Sequence, residues 1–148
     1  MPKLSSENSS RDASAGAKAQ TAVLVIDDDN IARSLVRELL APSCRVVELN
    51  SPIGATRTAS AEGVDVVLLD VLMPNLRGDM VAKLFRNNPR LRHIGVILIS
   101  GCAVEELAGM GAECGADAVL SKRNLRHELV PTVARVSSQS RRRSPEAK

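Results

Sequence analysis

Five short apolar runs, each followed by a longer stretch of helical spacing, constrain what this chain can fold into. The runs are AVLVI at 22–26, RVVEL at 45–49, DVVLL at 65–69, GVILI at 95–99 and AVL at 118–120. Three of them show no polar alternation, which is the pattern of strands covered on both faces. A helix after each strand makes a βα unit, repeated five times. Such crossovers are right-handed. The spacing therefore predicts an α/β fold, (βα)5, with a five-stranded parallel sheet and helices on both faces. No internal repeat beyond this alternation is visible.

The intervening stretches carry helix punctuation. In NIARSLVRELL, Ile31, Leu35 and Leu39 recur at i, i+4 and i+8, which predicts a helix packed through that face and closed by Pro42. Ser51-Pro52 reads as a helix start, with Ser as N-cap and Pro at the first helical position. A helix is expected from about Asp79 to Arg86, another over 104–110 ended by Gly111, and a last one over 124–137. Leu125, Leu129, Val133 and Val136 share a face of the last helix, and Pro131 should kink it or shift its start.

Composition bounds the rest. Phe85 is the one aromatic in 148 residues, so the core must be aliphatic and a base-stacking platform for single-stranded nucleic acid is excluded. The net charge of +3 sits in the ends: residues 1–20 carry +1, 137–148 carry +3, and 21–136 carry −1. The reading is a disordered extension over 1–20, a single domain over 21–136 and a basic disordered tail over 137–148. Three arginines in such a tail are expected to be solvated, and nucleic-acid binding is not expected. Cys44, Cys102 and Cys114 are odd in number with no C-x-x-C spacing. That argues against a disulfide framework and for a cytoplasmic setting. No signal peptide and no membrane span is visible.

Chemistry gathers where the strands end. Asp27, Asp28 and Asp29 follow the first run, Asp70 the third, Ser100 the fourth, and Ser121 with Lys122 the fifth. In a parallel sheet these C-terminal ends share one edge, where open α/β sheets bind ligands. Two carboxylates about 4 Å apart repel by about 4 kcal/mol at an effective dielectric near 20. Either one stays protonated or a cation neutralises them. All-oxygen ligands suit Mg²⁺. An Asp beside such an ion can act as a nucleophile toward a phosphoryl group, with Lys122 on one oxygen and Ser100 on another.

The segments VLVIDDD, LLDVLMPNLRG, VILISG and AVLSK resemble the receiver domain of two-component response regulators over essentially all of 21–136. The D-x-x-M-P segment of Asp70, Met73 and Pro74, followed by Gly78, carries most of that likeness. The resemblance implies a flavodoxin-like fold and an Asp70 that accepts phosphate from a sensor histidine kinase or phosphotransfer protein. It implies Mg²⁺ held by Asp27, Asp28, Asp70 and the Leu72 backbone carbonyl, with Ser100 as switch hydroxyl and Lys122 as phosphate partner. It also implies output by binding a downstream protein through the last helices and strands, and no enzyme activity beyond self-phosphorylation and self-dephosphorylation. Two positions depart from the family: Val119 where an aromatic is common, and Arg123 where proline usually follows the lysine. The apolar Leu72 cannot orient an attacking water, and slow self-dephosphorylation is expected.

Two other functions compete. One is a pseudo-receiver or scaffold whose binding ignores phosphate, motivated by Val119 and Arg123. The other is a haloacid-dehalogenase-like phosphatase, with its D-x-D start at Asp27 and Asp29; it leaves Asp70 and M-P unexplained. The blander reading of the Asp triplet is a favourable charge at a helix N-terminus.

Overall fold

The computed structural model describes residues 20–74, 76–101 and 104–143. Residues 1–19 of the expected N-terminal extension, and Cys102, lie outside them. Five strands alternate with five helices: β1 (Thr21–Ile26), α1 (Asn30–Leu40), β2 (Cys44–Leu49), α2 (Ala55–Glu62), β3 (Val66–Asp70), α3 (Gly78–Arg86), β4 (Gly95–Ser100), α4 (Val104–Cys114), β5 (Ala118–Ser121) and α5 (Leu125–Arg143). A 3₁₀ turn over Lys122–Asn124 joins β5 to α5.

The strands form one sheet in the order β2-β1-β3-β4-β5, parallel throughout. Val23 and Val25 of β1 pack on one side with Val36, Leu40, Leu129 and Val133 of α1 and α5. Leu24 and Ile26 pack on the other side with Ala59 of α2, Phe85 of α3 and Leu107 of α4. Successive residues of a strand point to opposite faces. Both faces are covered, and so every position of the run must be apolar.

Several local expectations are corrected. In α1 the buried stripe is Ala32, Val36 and Leu40, whereas Ile31 is exposed. The two stripes are offset by one residue, about 100° around the helix, and the sheet-facing side is the smaller-residue one. Ser51 does not cap α2; its Oγ accepts from the Ile53 N–H within a turn, and the helix begins at Ala55, behind Gly54 at φ 81. Ser and Pro favour turns for the same reasons that they favour helix starts.

Gly111 does not end α4. The helix runs on to Cys114, and a Cβ on Gly111 would stand 2.7 Å from Val119 Cγ1, so the glycine lets α4 close on β5. Pro131 lies inside α5, which runs through it.

The last helix also outruns its expected end. Residues 137–143, read as disordered tail, are helical, and Ser137 and Ser140 are buried. Arg141 reaches Asp65 at 3.5 Å, and Arg143 reaches Asp117 at 3.4 Å. The polar turn is held by acidic residues at the entrances of β3 and β5, partners far away in sequence. Among the described residues no helix is long and apolar enough to cross a membrane.

Candidate functional site

The order β2-β1-β3 reverses the direction in which the sheet is built, and the crevice between β1 and β3 opens at their C-terminal ends. Asp27 and Asp28 leave β1 there, and Asp70 ends β3. Side-chain oxygens of Asp27, Asp28 and Asp70 lie within 4.8 Å of one another. Asp27 is fully buried, Asp70 is 4% exposed, and Asp28 is exposed to solvent. The third member of the triplet does something else: Asp29 caps α1 by accepting the Ile31 N–H at 2.9 Å. The helix-start explanation thus covers Asp29 and leaves Asp27 and Asp28 to the site.

Lys122 arrives from β5. Its Nζ stands 3.0 Å from Asp27 Oδ2 and 3.5 Å from Asp70 Oδ1, so it bridges two carboxylates. Burial pulls the lysine's pKa down, but contact with Asp27 and the charges of Asp70 and Asp29 outweigh it and hold the ammonium above its ordinary value. Asp70 goes the other way. Burial first, then the Asp27 charge, push its carboxyl from 3.8 up to about 6, against the pull of Lys122 and a hydrogen bond from the Leu72 N–H.

The donor set fits a hard divalent cation. Three carboxylates face one ammonium. Asp27 Oδ2 is buried with no aligned hydrogen bond, its counter-charge being Lys122. Asp27, Asp28 and Asp70 could hold such an ion with oxygen ligands and room for water. Leu72 follows on the exposed loop, its side chain 57% exposed.

Ser100 ends β4 and is buried. Its neighbour Ile99 pairs with Asp70, which places Ser100 one step beyond Asp70 on the adjacent strand, and Ser100 itself pairs with Ser121. The loop carrying Lys122 needs no proline. Ser121 Oγ accepts the Arg123 N–H at 3.2 Å, a donor that proline lacks, and no cis peptide occurs among the described residues.

Three supports were not read from the sequence. Asp27 Oδ1 accepts the Asp29 N–H at 2.9 Å, which fixes the buried carboxylate. Arg33 Nη1 donates to the Asp27 carbonyl at 2.6 Å, while its Nε reaches Glu48 at 3.3 Å. Gly78 opens α3 against the end of β3, and its N–H donates to the Val71 carbonyl at 2.9 Å. Only Gly78 left a local trace, its spacing after Met-Pro. Nothing in the apolar spacing read for that helix singles out Arg33.

The response regulator receiver domain model matches residues 23–134. The chain belongs to that family. Among curated proteins, this receiver is 34% identical over 100 residues to a probable cyclic di-GMP phosphodiesterase of Vibrio cholerae, covering 66% of this chain and 22% of that protein. It is 27% identical over 101 residues to the polar-differentiation response regulator DivK of Brucella ovis, covering 68% of this chain and 82% of DivK. The receiver therefore spans less than a quarter of the first relative. Among solved structures it resembles the chemotaxis protein CheY4 of V. cholerae, with a TM-score of 0.73 and 25% identity over 80% of this chain and 99% of that one. These likenesses agree with the flavodoxin-like topology observed here and with a role in two-component signalling. They leave no support for the dehalogenase-like reading, whose second aspartate is the α1 cap.

Proposed function

We propose that this receiver accepts a phosphoryl group on Asp70 from a sensor histidine kinase or phosphotransfer protein and signals by phosphorylation-dependent protein binding. The observation that carries the proposal is the Asp70 carboxylate itself: buried, beside two further carboxylates, and 3.5 Å from the Lys122 ammonium. One Asp70 oxygen attacks phosphorus, the phosphorus–nitrogen bond of the donor breaks, and the imidazole leaves with the bonding electrons and takes a proton. Lys122 draws one phosphoryl oxygen, and Ser100, at the end of the neighbouring strand, offers a hydroxyl to another. A Mg²⁺ held by Asp27, Asp28, Asp70 and the Leu72 carbonyl would supply the charge that neutralises the phosphoryl oxygens. The work of the chain is positioning and charge, which is most of what phosphoryl transfer needs.

The reading proposed is a stand-alone, cytoplasmic response regulator; the match to DivK over 82% of that protein's length is in keeping with a receiver acting by itself. Incubation with acetyl phosphate and Mg²⁺ tests the reading by intact mass. A gain of one phosphoryl group, lost in Asp70→Asn and on chelation, is expected. No gain in the wild-type protein would favour a pseudo-receiver, to which Val119 and Arg123 point.

A further inference from the structure

A cleft of about 740 Å³ opens at the other edge of the sheet, between the end of α1, the start of β2 and the last turns of α5. Thr21 and Cys44, which line it, begin their strands, whereas Asp70 ends one. A six-residue strand is roughly 17–20 Å long, and so this cleft is remote from the acceptor site.

Its two halves differ in chemistry. Val130, 42% exposed, and exposed Ala134 give an apolar wall, backed by Leu40, Cys44 and Val133, which are buried in the core behind it. Arg141 and Arg142 give two positive charges, with no acidic residue among the lining. Arg141 donates to Thr21 Oγ1 at 3.3 Å and pairs with Asp65 at 3.5 Å, which offsets part of its charge. Arg142 Nη1 donates to Ser138 Oγ at 3.3 Å, a neutral acceptor. The family match stops at residue 134, but Ser137, Ser138, Arg141 and Arg142 all lie beyond it. The charged groups of the cleft therefore come from the part of α5 that lies beyond the family match, with Thr21 and Ser43 adding neutral polar groups from elsewhere.

We infer that the extended α5 and the end of α1 form a binding site for a small soluble amphiphile with an aliphatic body and an anionic head, a carboxylate or a phosphate. The volume lies within the range of small-molecule sites, which pair apolar walls with a few fixed polar groups. The aliphatic wall takes the body. The arginines take the head, and guanidinium groups suit both oxyanions. The site is independent of phosphorylation at Asp70.

Sub-millimolar decanoate is the probe, titrated into the full chain by calorimetry, with methyl shifts of Val130 and Val133 locating it. One equivalent should bind, with butyrate and decyltrimethylammonium at least tenfold weaker. Ala134→Trp, from an exposed cleft residue, should fill the space and abolish binding. Arg142→Glu should weaken it at least tenfold, and both variants should keep the wild-type circular dichroism and melting profile. Overturning outcomes are no decanoate binding, unchanged affinity in either folded variant, or equal affinity for the cationic amphiphile. Sedimentation with phosphatidylglycerol vesicles without one-to-one decanoate binding would place the anion in a bilayer and likewise refute a soluble ligand.

Discussion

Gly78 lies so close to Asp70 that a Cβ on the glycine would stand 2.3 Å from the Asp70 carbonyl oxygen and 2.9 Å from its carbonyl carbon. Neither atom belongs to a movable side chain. Gly78→Ala must push α3 and the end of β3 apart, and overpacking against backbone costs about 1–3 kcal/mol or more. Urea unfolding should show that loss. Phosphorylation by acetyl phosphate should fall well beyond the stability effect, because the displaced segment carries Asp70.

The raised Asp70 pKa sets a pH dependence. A carboxyl titrating near 6 in the folded protein and at 3.8 in its ordinary state favours the neutral form on folding. That contribution is full below pH 3.8 and is lost as pH rises through about 6. In metal-free buffer Asp70→Asn should therefore stabilise the protein by about 1–3 kcal/mol at pH 7 and by almost nothing at pH 4. Thermal melts at both pH values, with chelator, measure it. Equal gains at the two pH values would contradict the buried, charge-crowded carboxylate described here.

Mg²⁺ should reverse that penalty in the wild-type protein. An ion at a hundred times its Kd adds about 2.7 kcal/mol. The gain should shrink strongly in Asp70→Asn and Asp28→Asn. Lys122→Met removes the ammonium 3.5 Å from Asp70 and should raise the acceptor's pKa further while slowing phosphorylation at least tenfold. A carboxyl ¹³C titration and a phosphorylation time course read the two effects.

Leu72 bears on how long a phosphoryl group would persist. Its N–H holds the Asp70 carboxylate, yet its side chain is exposed and has no polar atom to align a water. Self-dephosphorylation should be slow, with a half-life of minutes or longer. Leu72→Asn should shorten it several-fold without changing the fold. Half-lives of seconds in the wild-type protein would show that water is positioned by something else.

The end of α5 is structural. Ending the chain after Val136 removes buried Ser137 and Ser140 and the pairs to Asp65 and Asp117. A loss of about 1–3 kcal/mol in urea unfolding is expected, with the cluster of Asp27, Asp28, Asp70 and Lys122 intact. A truncated protein of unchanged stability would return these residues to the status of a tail.

Much of the architecture was legible because burial on both faces leaves a simple mark. Val23 to Ile26, Val66 to Leu69 and Val96 to Ile99 must be apolar at every position, and they are. The candidate site was legible because Asp27, Asp28 and Lys122 follow strands and Asp70 ends one, and strand polarity alone brings them to one edge. What escaped depended on partners distant in sequence. Nothing in SSQSRRR announces Asp65 and Asp117, so the segment reads as solvated. Gly111 gives the same local signal whether it ends a helix or admits Val119. Ile31 and Ala32 differ by one position, and only the placement of the sheet decides which stripe is buried.

The two arginine contacts of α5 have a mechanical consequence. Asp65 introduces the strand at the centre of the sheet, and Asp117 introduces the one at its margin. One rigid rod is fastened to both. Peeling the marginal strand away thus requires slackening its tie to the middle, so amide exchange in β5 should track that of β3 instead of running ahead, as a loose border would.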